Sequence, residues 1–395
     1  MTAETTAGKP LTLNDLPMPE HRDTAWRILH DHGRLIELDN GFAATRTDII
    51  EAVMKNPEVF SSKEAFDSLG SPIPLVPIAF DPPEQTRYRR ILQPFFSPRA
   101  IRPLEPELRR QVIELIEPIA ESGECDFIAD LSGKFPIQVF LTLFGLPLDM
   151  RDQFIVWKDA ILEMSDASSA GVQEATEDGM RKAGELFMYL SDLVRERRGV
   201  AGEDILSQLL CAGGEDALTD NEAIGLCFLF ILAGLDTVTD ALGFGMERLA
   251  RNPGRRQEIV DDPSIIPAAI EELVRLDPPA PFVPRVTTRE TVLDGQVLPK
   301  GTRVTNLLAV ANRDEGGRPG PHEISFQRGD NPHISFGVGV HRCLGSHLAR
   351  LEMRIVYEEW HRRIPDYRIA DGSTPRVKWP RGTIGLESLD LVIGK

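Results

Sequence analysis

The chain has 395 residues, with 44 Lys and Arg against 61 Asp and Glu, a formal net charge of -17. That balance argues against nucleic acid and anionic membrane surfaces as general partners, while a local basic patch could still meet an acidic protein. Hydrophobic content of 42% and charged content of 27% are ordinary globular values, which excludes disorder as the default.

The first ten residues are polar, without an apolar leader core or a twin arginine, and 1–20 read as an irregular arm. Helical spacing covers 24–32, a hairpin turning at Asn40-Gly41 covers 36–47, and a second helix covers 48–55. Residues 61–80, rich in Pro, Gly and Ser, predict a loop. Pro82-Pro83 then opens a helix with Glu84 in its first turn. Apolar residues recur at helical spacing over 102–122, 127–144, 150–164, 173–198, 206–212, 220–251 and 263–276. The most apolar stretch, 224–235, is about twelve residues, short of the ~20 needed to span a bilayer, and predicts a buried helix. Short strands follow at 284–288, 291–293, 296–298 and 302–308, with Asp294-Gly295 as a turn. A Gly-rich loop at 337–345 leads into a helix over 344–363, and 364–395 is strand-like again. The expected fold class is mainly α with small β-sheets (α+β), in a single domain spanning 1–395 without linkers or repeats.

Four Cys at 125, 211, 227 and 343 form no C-x-x-C pair and no disulfide framework, which fits a reducing, cytoplasmic compartment without a membrane anchor. One of them stands out. In Phe336-Gly337-Val338-Gly339-Val340-His341-Arg342-Cys343-Leu344-Gly345, the glycines permit tight turns and close approach to a flat ligand. Cys343 is placed where the loop becomes a helix, and amide N–H groups there favour a thiolate. A single thiolate suits a one-ligand axial site better than zinc, while a lone Cys in a Gly loop also reads as a core thiol. His341 and Arg342 could neutralise carboxylates of a bound group. A second motif, Ala233-Gly234-Leu235-Asp236-Thr237, lies in the 220–251 helix. Ala233 and Thr237 share a face, and Gly234 removes a side chain there. The Thr237 hydroxyl is able to bond the carbonyl four residues back, and Asp236 offers an acid.

Phe336-x-x-Gly339-x-His341-x-Cys343-x-Gly345, followed by Leu348-Ala349-Arg350, closely resembles the haem-thiolate loop of the cytochrome P-450 family, of the soluble bacterial type that includes the camphor hydroxylase. The resemblance implies the fold of that family, with haem b (iron-protoporphyrin IX) between a long distal helix and the helix after the Cys. It implies Cys343 as the iron ligand, with Phe336, Gly337, His341, Gly345 and Ala349 against the haem. Ala233 to Thr237 resembles the oxygen-side motif of the same family. Ala233, Gly234 and Thr237 then face the cofactor, and Asp236 and Thr237 manage protons for O2 activation. Glu272-x-x-Arg275 resembles the family's buried ion-pair motif, with Arg328 as the expected third member. The family has an aromatic-rich stretch before it, where this chain has Gly316-Gly317-Arg318-Pro319-Gly320. Gln85, Arg89, Arg285 and His341 are the implied haem clamps, with Gln85 standing where bacterial members commonly carry His. Arg87 and Arg90 are expected in solvent.

The activity implied is monooxygenation of a small, apolar organic molecule by a monomeric enzyme. Electrons are expected from a separate ferredoxin and its reductase, docking on Arg90, Arg99, Arg102, Arg109, Arg110 and Arg342. The substrate pocket is expected at Val76, Leu229, Leu232, Ala233, Phe282, Val283 and Ile384, under a stiff lip carrying Pro72, Pro74 and Pro77. Three other classes compete. A peroxide-driven peroxygenase of this family lacks the Asp-Thr pair kept here. A haem-based sensor needs neither Thr237 nor a pocket. A zinc site on His341 and Cys343 lacks a second ligand pair.

Overall fold

The computed structural model describes residues 11–66, 75–169, 176–314 and 320–394. Helices dominate, and the longest, Asp220–Arg251, runs through the centre with most of its side chains buried. Its start is fixed by a capping box. The Thr219 hydroxyl accepts from the Glu222 N–H, and the Glu222 carboxylate accepts from the Thr219 N–H. The other Glu222 oxygen takes hydrogen bonds from Arg87 (2.8 Å) and Tyr88 (2.7 Å), which seats the Glu84–Leu92 helix on this end. Arg87 is therefore engaged rather than solvated. Among the described residues this long helix is the one with the length and composition to cross a membrane, so the twelve-residue apolar run understated it. Small and apolar residues continue well past Leu235, and the stretch is mostly buried in protein.

Among the described residues, ten strands form three small sheets. The largest has the order β1 (Leu35–Leu38), β2 (Gly41–Ala44), β8 (Arg303–Leu307), β5 (Phe282–Thr287) and β3 (Phe60–Ser61), antiparallel except for the β2–β8 pair. β6 (Thr291–Leu293) and β7 (Gln296–Leu298) make the hairpin expected around Asp294-Gly295. The third sheet orders β4 (Glu124–Asp126), β10 (Asp390–Ile393) and β9 (Tyr367–Ile369). β4 escapes sequence reading because Glu-Cys-Asp shows no apolar alternation. The expected 127–144 helix is split into a π-turn over Ile128–Ser132 and a helix over Phe135–Leu143. Pro136 causes the restart, since it lacks an N–H and fits only a first turn. A helix at Pro253–Asp261 was not expected, because it buries just Arg256 and Ile259 and shows little periodicity. The helix after Cys343 begins at Ser346, so the thiol sits on the loop before the helix and outside its first turn.

Two buried charge networks tie the elements together. Asp277 is shared by Arg22, Arg248 and Arg313, which also reach Glu247 and Asp23. Burial alone would raise the Asp277 pKa, but Arg22 and Arg248 hold it far below the usual carboxylate range. The second network contains the expected triad. Glu272 and Arg275 are fully buried and paired through both carboxylate oxygens (2.8 and 2.9 Å). Arg328 adds a bond of 2.8 Å to Glu272, and the Ser325 N–H one of 2.9 Å. Residues 315–319, where the aromatic stretch is replaced, lie outside the described residues.

Glu272→Gln removes the carboxylate that the buried Arg275 guanidinium pairs with and that Arg328 shares. The expected cost is about 3–5 kcal/mol of folding stability, read as a lower denaturant midpoint. A variant within ~1 kcal/mol of the parent would show that the network is not under strain from its charges.

Candidate functional site

A cavity of about 340 Å³ lies between the long helix, β5, and the loop that carries Cys343. The loop has a defined build. The Cys343 N–H donates to the Phe336 carbonyl at 2.7 Å, and the Gly337 N–H to the Ile334 carbonyl at 2.8 Å. Gly339 has φ +73°, and a Cβ there would stand 2.4 Å from the Met54 carbonyl oxygen, so this position requires Gly. Cys343 is surrounded by protein, yet its side chain keeps free surface, and that surface faces the cavity. Burial raises the thiol pKa, against the Gly345 N–H and the Arg89, Arg342 and Arg350 charges, which favour the thiolate.

Across the cavity the long helix presents Ala233, Gly234, Thr237 and Val238. Ala233 and Gly234 are exposed in the middle of an otherwise buried helix, which marks a face turned to empty space. The Thr237 hydroxyl donates to the Ala233 carbonyl at 2.8 Å, the bond expected from the spacing. Asp236 does not join it on the wall. It is buried and ion-paired with Lys158 at 2.7 Å, because one step along the helix turns it about 100° from Thr237. Lys158 escaped sequence reading, although the signal was present. Phe154, Trp157, Lys158 and Ile161 share one buried stripe, and a lysine there needs a partner.

Period-2 alternation on β5 sends Val283 and Arg285 to the same wall. Arg285 is 2% exposed and, among the described residues, donates only to its neighbour's Pro284 carbonyl (2.7 Å). Burial pushes its pKa down to about 10. His341 bonds the Phe80 backbone, leaves Nε2 without a partner, and is pushed down to about 4 by burial and by Arg285. Arg89 reaches the Arg342 carbonyl at 2.8 Å. Three basic groups thus converge on one rim with no carboxylate in an ion pair with any of them among the described residues, as an anionic guest would require.

These features fit a haem. Gly234 and Gly345, on opposite walls, have nothing within 4 Å of where a Cβ would be, so both leave room for a flat group. The cations fit its carboxylates, and the thiol faces the space between. Ala349, Phe336, Gly337 and Leu229 also line this cavity, as expected.

Other expected residues do not. Gln85 is buried and donates to the Val340 carbonyl at 2.6 Å, so it braces the Cys loop instead of facing the cavity. Val76 and Ile384 are core residues, and Pro77 and Ile78 line the wall where Val76 was expected. Phe282 packs between Trp26 and Trp379 on the face of β5 opposite Val283. Leu232 is half-buried against the core and off the wall. Pro72 and Pro74 lie outside the described residues. The apolar end is instead built by Phe96, Val139, Phe140, Phe144 and Phe230. Of the expected basic face, Arg90, Arg109 and Arg110 are neutralised by acidic neighbours such as Asp216, Glu358 and Glu107.

A thiol on a Gly loop, facing an open helix with a threonine on its wall, defines a haem-thiolate protein. A sequence model of the cytochrome P-450 family matches residues 261–359. Cytochrome P-450 130 of Mycobacterium tuberculosis is 34% identical over 307 residues, 77% of this chain and 74% of that protein. The steroid C26-monooxygenase of the same species is 31% identical over 357 residues, 89% of this chain and 95% of that protein. The solved structure of a mutant of P-450 EryK in complex with erythromycin B superposes with a TM-score of 0.85 at 28% identity, covering 96% of this chain and 98% of that one. The chain belongs to the cytochrome P-450 family and is a haem b monooxygenase.

Beneath the loop, Glu271 binds Arg350 (2.6 and 2.7 Å) and His333 (2.9 Å), and the Arg350 guanidinium lies 4.2 Å from the Phe336 ring centre. Burial would raise Glu271, but Arg350 and His333 bring it down to about 2. Its ordinary value is roughly 4.3, so this group stabilises the fold above that pH, and the gain is lost as pH falls toward 2. Glu271→Gln should flatten the fall in melting temperature across that acid window. An unchanged slope would mean that the carboxylate is not held in its charged form.

Proposed function

We propose that this chain hydroxylates a small, apolar organic molecule in the cytoplasm as a single-domain monomer, taking electrons from a separate ferredoxin-type donor. The observation that carries the reading is the Cys343 thiol facing Ala233, Gly234 and Thr237 across a cavity rimmed by Arg89, Arg285 and His341, none of them ion-paired with a described carboxylate. Cys343 would hold the iron, Arg89, Arg285 and His341 the haem carboxylates, and Gly234 and Gly345 the faces of the ring. The haem supplies the oxidising chemistry when bound.

The chain's own residues do the rest. Phe96, Val139, Phe140, Phe144 and Phe230 exclude water and favour an apolar guest. Thr237 holds a hydroxyl at the wall, and Asp236 stands behind it with Lys158, supplying protons from the protein side. The steroid and the erythromycin B in the names of the related proteins support an apolar substrate class. The donor would dock where Arg99, Arg102 and Arg342 are exposed without an ion pair to any described residue.

The reduced protein under carbon monoxide should show the Soret band characteristic of a thiolate ligand, and Cys343→His should lose it. A globin-like band in the parent would remove Cys343 as the ligand. Thr237→Ala should keep electron consumption and lose roughly tenfold or more of product per electron. Unchanged coupling would overturn the role of Thr237.

A further inference from the structure

One titratable side chain at the centre of the molecule has no part in the site described so far. Asp240 is 3% exposed and lies one helical turn after Asp236, on the same face of the long helix. No hydrogen bond or ion pair among the described residues reaches its carboxylate. Such a group, ionised and unpartnered in the interior, would be costly, whereas the neutral acid is tolerated.

Its surroundings are specific. Asp236 faces it from its own helix, and Lys158 from the Arg151–Ser169 helix. Lys378 and Arg381 face it from the segment bridged at Val377 and Leu386. That segment lies directly on it. A Cβ at Gly385 would stand 1.7 Å from Oδ1, so only Gly admits the carboxylate there. Burial and Asp236 push Asp240 well above the usual carboxylate range, against the pull of the three cations. Lys158 also has a second partner, the exposed Asp159 at 2.9 Å, beside Asp236 at 2.7 Å.

We propose that Asp240 is the proton store of the oxygen-side helix, a neutral carboxylic acid from which Asp236 is reloaded. The inference rests on the reading that Asp236 and Thr237 pass protons to the cavity. A water bridging the two carboxyl groups would pass the Asp240 O–H proton to the Asp236 carboxylate, and the negative charge moves to Asp240, where Lys158, Lys378 and Arg381 face it. Lys158 keeps Asp159 as its anion meanwhile. Asp236 gives the proton up on the Thr237 side, and Asp240 takes one back from water near the half-buried Lys378 and Arg381. The net step carries one proton from solvent to the cavity wall. Asp240 is thus a positioning residue, acting through Asp236.

Asp240→Asn, a neutral isostere of the stored acid, tests this on the holoenzyme. A group whose folded pKa is raised makes the fold less stable as pH climbs from its unfolded value, because the folded state must keep the extra proton. The variant should therefore melt at or above the parent temperature at neutral pH and lose that slope. Its haem content should match the parent. Product per electron should fall roughly tenfold, less than the ~100-fold or more of an acid acting directly on reacting atoms. The slowing of turnover in D2O should also grow. A lower melting temperature, or failure to fold, means that Asp240 is ionised in the native protein and overturns the proposal. Parent-like coupling and D2O response overturn it too. If Thr237→Ala uncouples the enzyme and Asp240→Asn does not, the proton store alone fails. If neither uncouples it, the reading beneath it fails.

Discussion

The position of the Cys343 sulfur depends on a carboxylate that never touches it. Glu272 and Arg275 are wholly out of water, and Arg275 spends its remaining N–H groups on the Asn312 (3.0 Å) and Pro321 (2.8 Å) carbonyls. Asn312 passes the constraint on. Its amide donates to the Ser335 hydroxyl at 2.7 Å and accepts the Ile334 N–H at 2.9 Å. From Ile334 and Phe336 the next bonds close the Cys loop itself. A buried pair of this kind contributes little net stability compared with apolar packing, but removing one partner is severe. That asymmetry makes it a device for fixing geometry. The helix at 266–276 and the loop at 334–343 are far apart in sequence, and the network holds them in one register.

The opposite logic governs the rim. Among the described residues, buried Arg285 and half-buried His341 have no carboxylate in an ion pair, and His341 Nε2 has no hydrogen-bond partner. Each costs folding free energy by itself, and both costs are offset when an anionic guest arrives. A ligand that binds only the folded chain stabilises it by mass action. The loop network is thus complete without the cofactor, whereas the rim is completed by it. The division follows from chemistry. If Cys343 holds the iron, its sulfur must be placed before the metal arrives, whereas basic groups serve carboxylates only once those are present.

Much of this was legible in the residues, and the failures have physical causes. Cys343, Thr237 and Glu272-x-x-Arg275 sit in short motifs, while Arg285 and Arg328 were expected only from the family resemblance; the structure puts Cys343, Thr237 and Arg285 on one cavity and joins Arg328 to Glu272. Gln85, Val76, Phe282 and Ile384 were placed by segment, and a segment does not say which way a side chain turns. Phe282 and Val283 are neighbours on β5, yet one packs against Trp26 and the other lines the cavity. The Phe140–Phe144 wall was invisible because apolar residues on a buried helix look the same whether they face core or cavity. The basic face lost Arg90, Arg109 and Arg110 to acidic partners supplied by other elements or adjacent turns, which a count of arginines ignores.

The long helix shows how one element reconciles these demands. Its cavity face, at Ala233 and Gly234, is stripped of side chains so that a flat group fits, which removes packing from the middle of the molecule. The loss is made good on its other faces. Thr219 and Glu222 cap its start, Glu247 and Arg248 join the Asp277 network at its end, and Asp236 binds Lys158 between them. The carboxylates at 236 and 240 therefore sit on a helix pinned at both ends and opened in the middle. The backbone is open at the cavity, and the two carboxylates lie on the buried side of the same helix. The two ends hold that arrangement, because sliding would break the part-buried Arg87–Glu222 pair at one end and the buried Arg248–Asp277 pair at the other.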